Sequence, residues 1–252
     1  MNNCASAMKC NATDSGRGAM TVPTSGSAAN SMTGSASGFV PKSAVIFCAG
    51  RMEDYGFYQE QPFWADKPLV VCADGGYRHA QAMGIVPNIL LGDFDSLLGE
   101  LPAGVETVRY PREKDFTDSQ IAVEYCLERG IKKLILLGAM GSRMDHSFAN
   151  LSLLAYIAEH GGEGLVLDEC NEIRLVRDSL TLEKKEGYSV SFLPLTREVR
   201  GVTLTGFAYP LQNATLRLGT NIAVSNEFAG ETATVTVSDG ILLAFCARDC
   251  AG

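Results

Sequence analysis

The chain has 252 residues, 46% hydrophobic and 20% charged, with 21 Lys and Arg against 29 Asp and Glu. That balance is ordinary for a globular protein long enough for two domains, and the net charge of −8 argues against a nucleic-acid surface, which needs a basic face to displace counterions. No apolar run approaches the roughly 18 residues that span a bilayer, and eight cysteines without C-x-x-C spacing point away from zinc and toward a reducing cytoplasm.

Residues 1–40 are rich in Ser, Gly, Ala, Asn and Thr. They carry too little apolar surface to offset the entropy of ordering and are expected to form a disordered tail. From residue 41 buried strands alternate with helices. Apolar runs at 44–49, 69–73, 88–91, 105–108 and 133–137 read as strands. Helices are expected at 77–83, at 117–128 behind a Thr117/Gln120 capping box, and at 147–160 before Gly161 and Gly162. The alternation predicts an α/β domain over 41–163, a mostly parallel sheet with helices on both faces. Beyond a strand at 164–167 the texture becomes β-rich, with runs at 172–176, 188–193, 202–205, 232–237 and 241–245. Residues 164–250 are therefore expected to form a smaller antiparallel β-sandwich, with Asp239-Gly240 as the turn of a hairpin.

The chemistry-bearing residues fall where α/β sheets place their ligands, in loops after strands. Asp93 and Asp95 stand in Gly92-Asp93-Phe94-Asp95-Ser96, and Asp115 and Asp118 in Lys114-Asp115-Phe116-Thr117-Asp118. Carboxylates gathered in one cleft repel by about 2 kcal/mol per pair at roughly 8 Å, which a cation offsets. Oxygen ligands select hard ions, and Mg²⁺ favours one or two carboxylates together with phosphates and water. Any one of these acids alone reads better as a wet loop residue, and Asp118 also as a first-turn helix acid. The set, with Asp74-Gly75-Gly76 and the loop Gly138-x-x-Gly141-x-Arg143 beside it, reads as a magnesium–nucleotide site. Arg143 either forks onto phosphate oxygens or pairs with Asp145 at the surface. Lys114 is the best placed of the other cations.

Ala73-Asp74-Gly75-Gly76, the run from Gly84 into GDFDS, Lys114-Asp115-x-Thr117-Asp118 and GAMGSRMDH from Gly138 to His146 together resemble the bacterial thiamine pyrophosphokinases. So do GVTLTGFAYPL from Gly201 to Leu211 and Ser225-Asn226-Glu227-Phe228. The resemblance implies transfer of the pyrophosphoryl group of MgATP to the hydroxyl of thiamine, with AMP released. It implies that Asp93, Asp95 and Asp118 hold Mg²⁺ and the triphosphate, with Asp74, Gly75 and Asp115 in support. It places Lys114 and Arg143 on phosphate oxygens, has Asp145 and His146 shape their loop, and sets Ser225 and Asn226 against the aminopyrimidine. It also implies a homodimer with a composite active site. The single tryptophan, Trp64, precedes the β-rich region, so Phe207, Tyr209 and Phe228 are the rings left there to stack on a ligand.

Two other readings compete. Asp93-x-Asp95 after a strand is similar to the nucleophile motif of haloacid-dehalogenase-type phosphatases, but two strands precede it and Leu97 stands where Thr or Val is usual. A catalytically silent thiamine or nucleotide sensor would keep the fold without turnover, yet all the acids of an active enzyme are present.

Overall fold

The computed structural model describes residues 41–93, 104–110 and 116–250. The tail 1–40 and the side chains of Asp95, Lys114 and Asp115 lie outside them. Six parallel strands form the first part of the sheet: β1 (Ser43–Phe47), β2 (Leu69–Ala73), β3 (Ile89–Gly92), β4 (Glu106–Arg109), β5 (Lys133–Leu137) and β6 (Glu163–Leu167). Their order in space is β4-β3-β2-β1-β5-β6. From β1 the chain moves to one side, to β2, and from β5 to the other, to β6. Such a reversal opens a crevice at the carboxyl ends of the two central strands.

Helices cover both faces of this sheet. On one side α3 (Asp118–Glu128) and α4 (Met144–Glu159) set Ala122, Cys126, Leu154 and Ile157 against Ala44, Ile46, Val71 and Leu91. On the other, α1 (Tyr55–Gln59), a 3-10 turn over Pro62–Asp66 and α2 (Tyr77–Ala82) pack Tyr58, Trp64, Ala80 and Met83 against Val45, Phe47, Cys72 and Leu90. Alternate residues of each central strand thus enter opposite cores. Full burial of a side chain such as Leu154 or Ile157 contributes roughly 1.5–3 kcal/mol.

The sheet does not stop at β6. Strands β7 (Asn171–Val176) and β13 (Leu242–Ala247) continue it antiparallel, with β9 (Ser189–Pro194) at the far edge, nine strands among the described residues. A second antiparallel sheet, β11-β10-β12-β8, comprises β8 (Ser179–Glu183), β10 (Glu198–Thr205), β11 (Leu211–Arg217) and β12 (Thr232–Thr236). Val176, Phe192, Leu242 and Ala244 of the first sheet meet Val202, Leu204, Leu216 and Val235 of the second in one core. Leu243, pointing the other way from β13, belongs to the α/β core.

The expected hairpin at Asp239-Gly240 is not formed. β12 pairs with β10 and β8, whereas β13 pairs with β7 and β9, so the turn carries the chain between sheets. Asp239 instead bridges Arg200, and a Cβ on Gly240 would lie 2.5 Å from the Glu198 carbonyl oxygen. Strands β8 and β11 and helix α1 escape the sequence reading, and α4 begins three residues earlier than expected.

The corner between β6 and β7 is a tie point. Glu169 Oε1 accepts the amides of Glu53 and Asp54 at 2.7 and 3.0 Å, and the Glu169 carbonyl accepts from Arg248. Cys170 and Cys250 are joined as a disulfide with Cα atoms 5.8 Å apart, a pairing that cysteine spacing does not reveal and that runs against the reducing compartment expected from the cysteines.

Candidate active site

A cleft of about 410 Å³ lies over the carboxyl ends of the central strands. Its walls come from three loops and two helix starts: Ala49 and Gly50 after β1, Asp74 after β2, Ala139 to Arg143 after β5, Thr117, Asp118 and Ser119 at the head of α3, and His146, Ser147 and Asn150 in the first turns of α4. The crevice predicted by the strand order is therefore where the polar groups gather.

Thr117 caps α3, its hydroxyl oxygen accepting the Gln120 amide at 3.2 Å. Gln120 turns its own side chain to Glu124, so only half of the expected box is made. Asp118 then sits in the first turn, where the helix dipole favours its ionised form. Asp74 adopts a left-handed backbone, φ 44°, a costly conformation for a residue with a Cβ and one that gathers at functional sites. A Cβ on Gly92 would stand 3.0 Å from the Asp74 Cβ. Gly92 thus lets the ends of β2 and β3 close up, with Asp93 next in the chain.

The glycines after Asp74 let the chain pack closely against β1. A Cβ on Gly76 would lie 2.0 Å from the Phe47 carbonyl oxygen, while Gly75 is half-buried against Ala49. The loop after β5 is held by residues that sequence reasoning passes over. Ser147 Oγ accepts the Gly141 amide at 3.1 Å and donates to the Arg143 carbonyl, and Asn150, buried, donates to the Ala139 carbonyl at 2.7 Å. Two polar side chains three apart on the buried face of an apolar helix were the available signal.

Arg143 and Asp145 form a two-pronged ion pair, Nη2 to Oδ2 at 2.5 Å and Nε to Oδ1 at 3.2 Å, both side chains exposed. The guanidinium holds the Asp145 carboxyl down at about 2. His146 lines the cleft. Cys48 lies beneath the cleft, and burial pushes its thiol up to about 11 against the opposing hydrogen bond from Ser119, so it is no nucleophile at neutral pH. Among the described residues no three His, Cys, Asp or Glu side chains gather tightly enough to hold a metal ion.

Ser225 and Asn226 do not line this cleft. Ser225 is exposed at φ 57°, and its amide donates to Ser191 Oγ. Asn226 is buried, and its side chain is engaged with the chain itself: Nδ2 donates to the Tyr209 carbonyl at 2.7 Å, and Oδ1 accepts the amides of Tyr209 and Glu227. Of the candidate rings, Phe207 is core, edge-on to Phe192, whereas Tyr209 is 65% exposed.

The family model for the thiamin pyrophosphokinase catalytic domain matches residues 61–163, and that for the thiamin pyrophosphokinase vitamin B1 binding domain matches residues 178–242. The chain is 30% identical over 203 residues to thiamine pyrophosphokinase of Bacillus subtilis, covering 77% of this chain and 91% of that one. The crystal structure of a thiamine pyrophosphokinase from Bacillus subtilis superimposes with a TM-score of 0.74 at 27% identity, over 83% of this chain and 100% of that one. That of a thiamin pyrophosphokinase from Geobacillus thermodenitrificans gives 0.70 at 29% identity, over 83% and 99%.

Proposed function

The chain belongs to the thiamine pyrophosphokinase family, and we propose that it moves the β,γ-pyrophosphoryl group of ATP to the thiamine hydroxyl in the cleft between the loops after β1 and β5. The observation that carries this placement is the meeting of Asp74 and Asp118 with the Gly141–Arg143 loop at the crevice of the sheet. Neither the phosphatase nor the sensor reading finds a counterpart among the matched proteins.

The donor set fits Mg²⁺. Asp74, Asp93 and Asp118 offer only hard oxygens, which suit an ion carried largely by phosphates and water. Mg²⁺ bound with ATP would neutralise charge on the transferring group, held by Asp93, Asp95 and Asp118. Asp74 and Asp115 would orient those carboxylates. Arg143 and Lys114 would contact phosphate oxygens; Arg143 is exposed and can leave Asp145, because water screens a surface ion pair. As the thiamine hydroxyl oxygen bonds to the β-phosphorus and releases its proton to solvent, the bond from that phosphorus to the AMP oxygen breaks, and the protein's part is alignment and electrostatics.

Ser225 is the proposed contact to the aminopyrimidine, with Tyr209 the exposed ring beside it; Asn226 would act by holding the Tyr209 backbone. Since Ser225 and Asn226 do not line the phosphate cleft, a composite site shared between two copies of the chain accounts for both halves. The exposed apolar side chains Met144, Phe148, Leu218 and Ile222 are surfaces that such an association would cover. No described helix is long and apolar enough to cross a membrane. We place the reaction in the cytoplasm, beside its ATP, without a nucleic-acid partner.

Nucleotide product analysis tests the proposal. AMP should form from ATP only when thiamine and Mg²⁺ are both present. Inorganic phosphate without AMP would overturn it.

A further inference from the structure

The carbonyl of Gly50, in the loop after β1, is the centre of a hydrogen-bond network apart from the acidic residues. His79 on α2 is 3% exposed. Its Nε2 stands 2.9 Å from the Gly50 oxygen, and its Nδ1 stands 2.9 Å from the Tyr55 hydroxyl. A carbonyl oxygen only accepts, so Nε2 carries the ring proton and Nδ1 accepts from the Tyr55 hydroxyl. Arg78 Nη2 adds donations to the carbonyls of Ala49 and Gly50, at 2.7 and 3.1 Å. The 3.4 Å approach of Arg78 Nε to His79 Nε2 is then no hydrogen bond, since both nitrogens bear protons. Burial lowers the pKa of His79, in keeping with a neutral ring.

The same loop is held from its other side. The Gly50 amide donates to the Gly138 carbonyl and the Arg51 amide to the Met140 carbonyl, each at 2.7 Å. There is no slack in this seam: a Cβ on Gly50 would lie 2.2 Å from the Met140 oxygen. Ala49, Gly50, Asp74, Met140 and Gly141 all face the cleft. A group that fixes the Gly50 peptide therefore fixes the spacing of the loops after β1, β2 and β5 together.

We infer that His79, set in its Nε2–H form by Tyr55, is a positioning residue that holds the Gly50 peptide so that the cleft keeps the width needed to receive ATP. The inference rests on the cleft being the nucleotide site. Asparagine places its amide near the His Nδ1 position and glutamine near Nε2, so the two amides separate the Gly50 bond from mere filling of space.

Steady-state KM values for ATP and for thiamine are measured for His79→Gln, His79→Asn, His79→Ala and Tyr55→Phe, with thermal melting alongside. Loss of one buried hydrogen bond predicts a rise of about tenfold in KM for ATP in the Asn and Ala variants. Gln should stay within about twofold of the wild type, and Tyr55→Phe should rise about threefold, with KM for thiamine nearly constant throughout. Equal ATP values for wild type, Gln and Asn would overturn the inference. So would equal impairment by Gln and Asn, or parallel rises for both substrates, which signal general loosening. Should the Ala variant fail to fold, Gln, Asn and Tyr55→Phe decide the matter. An Asp118→Asn protein with undiminished AMP formation would instead remove the cleft assignment itself, whatever the His79 series shows.

Discussion

Asp118 faces the cleft from a helix start whose cap, Thr117, does not depend on it. Replacing Asp118 by Asn keeps the shape and a polar group and removes the charge proposed to meet Mg²⁺ and phosphate. The interaction with the helix dipole contributes only about 0.3–1 kcal/mol, so the fold should persist. Turnover should fall by at least about a hundredfold, roughly 3 kcal/mol of transition-state stabilisation. Initial rates at saturating ATP, read beside a melting curve, check this; wild-type rates would exclude Asp118 from the site. The cap and the first-turn acid were legible because both follow from local backbone chemistry. His79 was not, since a polar residue in a short polar helix looks the same in sequence whether it points to water or grips a loop, and Ser147 and Asn150 offered only their three-residue spacing. Asn226 shows a different limit: its type suits a ligand contact, but sequence does not reveal that its amide also bonds the Tyr209 backbone.

The loops after β1 and β5 are joined by backbone hydrogen bonds at a spacing only glycine permits. Gly50→Ala would bring a Cβ to 2.2 Å from the Met140 oxygen and 2.3 Å from the Gly138 oxygen, forcing the strands' ends apart. A loss of about 1–3 kcal/mol in urea unfolding is expected, with weaker ATP binding. Gly141→Ala meets nothing nearer than 3.4 Å, at the Gly50 Cα, and should unfold close to the wild type; equal destabilisation of the two would show that the seam is not the cause. Strands with both faces buried announced themselves as continuous apolar runs. β8 and β11 did not, because they are the edges of the second sheet and expose most of their side chains, as edge strands do. Helix α1, at five residues, is too short to display a period. Asp239-Gly240 is a turn as its chemistry requires, yet turn chemistry does not say which strands will be neighbours.

At the scale of the assembly, the placement of Ser225 outside the cleft that Asp118 lines makes a mixing experiment decisive. Asp118→Asn impairs the α/β side of the proposed site, and Ser225→Arg would put a long side chain in the place proposed for the aminopyrimidine on the β side. If each site draws on two subunits, a mixed dimer contains one intact site. Equal amounts of the two proteins, unfolded and refolded together, should recover about a quarter of wild-type AMP formation. No recovery would place each site within a single chain. The α/β class, the order of its strands and of its helices other than α1, and the β-rich second half were readable from pattern alone, because hydrophobic periodicity reports burial directly. That β7, β13 and β9 extend the parallel sheet was not, since it depends on pairings between distant segments.

That shared sheet has a mechanical consequence. To swing the two halves like jaws, the protein would have to break the hydrogen-bonded pairing of β6 with β7 and pull Leu243 out of one core while its neighbours Leu242 and Ala244 stay in the other. Hinge bending at this junction is thereby costly. Whatever closes over a bound substrate must be a loop at the strand ends or a second subunit, with the body of the chain serving as a stiff anvil beneath it.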